Sequence, residues 1–159
     1  MFADPLTARL ADFVRDIGIP VRATDLDQDT FLPGLDIRDG VLLIDADRLA
    51  YPGDILHEAG HIAVADEPRR SGPRLKPTKG EEMAALAWSF AAVHHIGLPP
   101  ETVFHADGYQ DNAQEMIRVF SEGFGPGVPL LAWFGLTVDP GQATTEGPPP
   151  FPHMLRWLR

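Results

Sequence analysis

Apolar residues recur at helical spacing near the start of the chain. Leu6, Leu10, Phe13, Val14 and Ile17 share one face, and Gly18 and Pro20 end the run. The pattern then becomes extended. Val21 to Leu26 reads as a short strand, and Leu35–Arg38 and Val41–Asp45 flank Asp39-Gly40, a pair suited to a tight hairpin turn. Tyr51-Pro52-Gly53 breaks direction, and helical spacing resumes near Asp54. There Ile55, Leu56, Ala59, Ile62 and Ala63 form an apolar face, while Asp54, His57, Glu58, His61 and Ala65 gather on the other.

Residues 67–79 hold prolines, a glycine and basic side chains, which predicts an exposed loop. A long helix follows from about Gly80 to Ile96, stopped by Gly97. Met83, Leu86, Ala87, Phe90, Val93 and His94 define its core-facing stripe, which makes His94 a packed histidine and leaves His95 in solvent. Shorter helices are expected after Pro99-Pro100-Glu101, over Asp111–Glu122 and over Val128–Leu136, with Trp88, Trp133 and Phe134 in the core. The fold class is α+β, a small antiparallel sheet packed against a helical remainder. One domain spans residues 1–138, and a proline-rich tail spans 139–159 and packs back onto it.

Composition narrows the chemistry. A chain of 159 residues can bury a core of its own. It has no cysteine, so a transition-metal site must use His, Asp and Glu. A net charge of −10 argues against direct nucleic-acid binding, which needs clustered cations facing phosphate. No apolar run approaches the ~18 residues of a membrane span. Met1-Phe2-Ala3-Asp4-Pro5 lacks the cationic start and apolar stretch of a secretory signal, so a cytoplasmic location is expected.

The residues that carry chemistry are His57-Glu58-Ala59-Gly60-His61, an H-E-x-x-H segment on a helix. Two imidazoles four residues apart lie on one helical face, ~6 Å along the axis, where one metal ion can take a nitrogen from each. Glu58, turned by about 100° from His57, does not bind the ion but reaches a water beside it, the place of a general base. Asp54, one turn before His57, is positioned to accept the free ring N–H of a ligand histidine.

A catalytic zinc usually takes a third protein ligand. In the metzincin pattern that ligand follows the second histidine closely. Here Glu67 occupies its position, but Val64 replaces the turn-making glycine. In the gluzincin pattern a glutamate comes from the next helix, where Glu81 and Glu82 stand in the first turn. Glu82 borders the core-facing stripe, whereas Glu81 points nearly opposite its centre, beside Ala85, Trp88 and Ala92. Glu82 is the preferred ligand, with Glu81 and Glu67 as alternatives. Zn2+ is the expected ion, and two histidines with a carboxylate also suit other divalent transition metals. Tyr109, His94, His95 and His105 have the chemistry of an oxyanion partner, and none is assigned that role.

Over residues 35–98 the chain resembles the ImmA/IrrE group of gluzincin-type metallopeptidases. The resemblance rests on the hairpin ending Val41-Leu42-Leu43-Ile44-Asp45, on Asp54-Ile55-Leu56-His57-Glu58-Ala59-Gly60-His61, and on Glu82-Met83-Ala84-Ala85-Leu86-Ala87. Ala84 stands where members carry asparagine. The resemblance implies a zincin-like fold with an active-site H-E-x-x-H helix, one zinc ion on His57, His61 and Glu82, Glu58 as base, and a protein or peptide substrate. The competing expectation is a metal-binding regulatory or sensory protein with the same site and no turnover.

Overall fold

The computed structural model describes residues 1–159 apart from the side chain of Gln110. Helix α1 (Pro5–Asp16) starts at Asp4, whose carboxylate accepts from the Thr7 backbone N–H at 2.7 Å. Three short strands follow: β1 (Val21–Ala23), β2 (Leu35–Arg38) and β3 (Val41–Ile44). The β2–β3 hairpin turns through Asp39 and Gly40, at φ 52° and 75°, as its sequence requires.

The expected all-antiparallel sheet is corrected to a mixed one. β3 lies in the centre, antiparallel to β2 and parallel to β1, with Val21 facing Leu42 and Ala23 facing Ile44. Leu42, Leu43 and Ile44 are buried, so β3 takes the central place. The chain after β1 crosses to the far edge before the hairpin returns it, which leaves β1 and β3 running the same way.

Helices α2 (Asp54–Val64), α3 (Glu67–Arg70), α4 (Lys79–Ile96), α5 (Ala106–Tyr109), α6 (Ala113–Ser121) and α7 (Val128–Trp133) complete the α+β arrangement, with a short 3-10 turn at Pro100–Thr102. The region expected as an irregular loop after Glu67 therefore begins with one helical turn, α3, capped by Asp66.

Helices α2 and α4 form the centre of the core. Gly60 lets them approach: a Cβ there would lie 2.9 Å from the Ala85 carbonyl oxygen and 3.2 Å from the Trp88 ring. α4 is not a helix with one apolar stripe. Ala84, Ala85, Ala87, Trp88, Ala91 and Ala92 are all buried, whereas Met83 and His94 are exposed. The reason is that α2, α6, α7 and Trp157 all pack against α4, so burial surrounds its middle turns. Trp133, expected in the core, is exposed at the end of α7.

The proline-rich segment runs back over the helices. Phe151 is buried, Thr137 and Met154 form a β-bridge, and the Trp88 indole N–H donates to the Trp157 carbonyl at 3.0 Å. Among the described residues no helix is long and apolar enough to cross a membrane.

Candidate metal centre

α2 presents His57, Glu58 and His61 to a cleft of about 220 Å³. Asp36 and Ile37 of the edge strand β2 form one wall. Arg74, Leu75 and Pro77 form another, and Glu82 closes it from the first turn of α4. The i, i+4 spacing on a continuous helix brings the two imidazoles together, with His57 Nε2 and His61 Nε2 3.2 Å apart. Glu82 Oε2 lies 3.5 Å from His61 Nε2, and the three ligand atoms all fall within 4.8 Å of one another.

Two ligands on a tetrahedral zinc with bonds of ~2.0–2.1 Å stand about 3.4 Å apart. The imidazole pair and the His61–Glu82 pair both fit. The donor set, two imidazole nitrogens and one carboxylate, is that of known catalytic zinc sites. His61 Nδ1 is buried with no hydrogen-bond partner among the described residues, and an ion on Nε2 would leave that unchanged. The group could hold a divalent metal ion.

Electrostatics prepare the same atoms. Burial pushes both imidazoles down to about 4, and for His57 the neighbouring His61 adds to the effect while Glu82 opposes it. Both rings are therefore neutral at pH 7, with lone pairs available. Burial is also the main cause raising Glu58, assisted by the charges of Glu82, Asp54 and Asp36, which together bring it to about 7. A carboxyl group at that value can take and return a proton near neutrality.

Glu81 and Glu82 are separated by the fold as sharply as two neighbours can be. The Glu81 side chain is 7% exposed and the Glu82 side chain 53%. Glu81 is committed to α4 itself: its carboxylate accepts from the Thr78 backbone N–H at 2.9 Å, and Thr78 Oγ1 accepts from the Glu81 N–H at 3.2 Å. Arg69 forks onto it at 2.5 and 3.0 Å. The burial pattern thus reverses the wheel argument, because Glu81 points into the molecule, towards Arg69. Glu82 is nonetheless the glutamate beside His61. Glu67 is exposed in α3 and outside the histidine cluster.

Asp54 does not take the place expected for it. Its Oδ1 lies 2.8 Å from His105 Nε2, and no bond to His57 or His61 is formed. The hydroxyl of Tyr109 stands beside His57 instead, 3.3 Å from Nδ1. No periodicity linked Tyr109 or His105 to the motif helix, since the approach depends on how the chain returns after α4. His94 and His95 are exposed at the far end of α4 and outside the cluster. Comparison of the chain with protein-family models, with curated proteins and with solved structures finds no match.

Proposed function

We propose that this chain is a zinc-dependent hydrolase with a zincin-like fold, resembling the ImmA/IrrE group and acting on a protein or peptide substrate. The observation that carries the reading is the meeting of His57, His61 and Glu82 at one cleft with a fourth group, Glu58, held near neutrality beside them. A metal-binding site that only stabilises a fold has no use for such a base. The peptide class comes from the resemblance, and the edge strand β2 brings Asp36 and Ile37 to the cleft, where its outward N–H groups on Leu35 and Ile37 already donate to the Leu32 carbonyl at 3.1 Å and the Asp36 carboxylate at 2.9 Å.

His57, His61 and Glu82 would hold the ion. Bound zinc supplies a lowered pKa for water and polarisation of the scissile carbonyl. The protein's own groups do the rest. The two imidazoles donate as neutral ligands, and the Glu82 carboxylate offsets part of the ion's charge. Glu58 accepts the proton of the attacking water and returns it to the leaving nitrogen as the C–N bond breaks.

Glu58→Gln separates turnover from binding. It is expected to retain one zinc per chain by elemental analysis and to lower hydrolysis of a quenched fluorescent peptide mixture by about 10²–10⁴-fold. Persistent cleavage in that variant would remove the proposed role of Glu58. A wild-type protein that holds zinc and cleaves none of the mixture would favour the regulatory reading.

A further inference from the structure

Two contacts join the first turn of α2 to the chain that returns after α4. His105 Nε2 meets Asp54 Oδ1 at 2.8 Å, and Tyr109 hydroxyl meets His57 Nδ1 at 3.3 Å. Asp54 and His57 are one turn apart on α2. His105 and Tyr109 are one turn apart on their own segment, where the Tyr109 N–H donates to the His105 carbonyl at 3.3 Å. The two turns therefore lie side by side, cross-linked by two rungs, and the second rung ends on a candidate metal ligand.

The first rung is built to stay in place. The Gly108 N–H donates to His105 Nδ1 at 3.0 Å, so that nitrogen is the acceptor and Nε2 carries the hydrogen given to Asp54. Tyr51 stacks on the His105 ring at 3.9 Å with an interplanar angle of 13°, and its hydroxyl bonds Asp107. The side chains of the pair are 14% and 7% exposed, which shields it from the screening that weakens surface pairs. Gly53, just before α2, leaves no slack: a Cβ there would fall 1.6 Å from the Thr102 carbonyl oxygen.

A histidine that binds a metal through Nε2 carries its remaining hydrogen on Nδ1 and needs an acceptor there. For His57 the Tyr109 hydroxyl oxygen supplies one. We infer that Tyr109 is a positioning residue that orients the His57 ring and, once an ion holds Nε2, accepts the hydrogen left on Nδ1, and that the His105–Asp54 pair clamps Tyr109 in that place. The inference rests on the metal-centre reading. It also makes the two ligands unequal, because His61 Nδ1 has no such acceptor among the described residues.

Tyr109→Phe tests it, since the ring can keep its packing against Phe104, 5.2 Å away between centroids, while the hydroxyl is lost. Zinc affinity measured by chelator competition is expected to fall about ten- to a hundredfold. In the zinc-loaded protein, the His57 Nδ1–H proton resonance should move upfield in Tyr109→Phe as its acceptor is lost, a change that a packing role alone would not produce. His105→Ala should weaken zinc binding in the same direction. Adding it to Tyr109→Phe should cost less than the two separate effects combined, because the clamp acts through Tyr109. Equal zinc affinities and an unchanged His57 Nδ1–H resonance in Tyr109→Phe would overturn this inference alone. Failure of the wild-type protein to bind zinc would overturn the metal-centre reading and this inference with it.

Discussion

The two ends of α2 are held by different chemistry. At its start the partners are an imidazole on Asp54 and a phenol on His57, so the second of the two contacts bears on His57 itself. At its end the partners are cations that close the carbonyl groups a helix leaves unpaired. Arg70 donates to the carbonyls of Ile62 and Ala65, each at 3.2 Å. Arg159 reaches Ala63 through its backbone N–H at 2.9 Å and Val64 through its guanidinium at 3.2 Å. Positive charge suits that end of the helix dipole. The start of α2 orients a candidate ligand, and its end secures the helix against the core. Metal affinity and stability should therefore respond to different lesions.

The largest effect is expected at the centre, on which both ends depend. His61→Ala should eliminate stoichiometric zinc while circular dichroism stays unchanged, and elemental analysis showing one zinc per chain would break the assignment. Next comes Gly60→Ala. The added methyl meets the Ala85 backbone, and the overpacking should cost about 1–3 kcal/mol despite the better helix propensity of alanine. A chemical unfolding curve no less stable than wild type would contradict the close approach of α2 and α4.

Arg70→Ala sharpens the comparison directly. Loss of its contacts at the end of α2 should cost about 1–2 kcal/mol of stability. Zinc affinity should stay within about twofold of wild type, as befits separate sites. A large loss of affinity with stability intact would show that the two ends do not divide the work.

The smallest effect concerns acid. Arg69 and the Thr78 N–H hold the Glu81 carboxyl below its ordinary value of 4.5. A carboxyl lowered by folding stabilises the native state fully above its unfolded value and loses that contribution as pH falls through the folded one. Stability should thus decline below about pH 4.5 more steeply in the wild type than in Glu81→Gln, and parallel curves would refute the pairing.

Much of the site was legible because it depends on near neighbours. The H-E-x-x-H spacing needs only a helix to bring two imidazoles to one face. The start of α4 was legible too. Helical spacing did not use its signal: Thr78-Lys79-Gly80-Glu81 is a capping-box pattern, which ties Glu81 to the helix end and does not say what Glu82 meets. The stripe drawn on α4 failed for a different reason. Its alanines are compatible with burial on every side, and periodicity cannot say how many neighbours a helix has.

By itself, the order of residues determined the local elements: the Asp39-Gly40 hairpin, the helix carrying His57, Glu58 and His61, and the stop at Gly97, which adopts φ 80°. These follow from backbone preferences and hydrogen bonds spanning a few residues. Only the tertiary structure decided that β1 joins β3 in parallel, that Glu82 meets His61, and that Tyr109 stands on His57 while Asp54 turns to His105. Those contacts join residues far apart in the chain, and their geometry is set by the close packing of the whole core rather than by any local pattern.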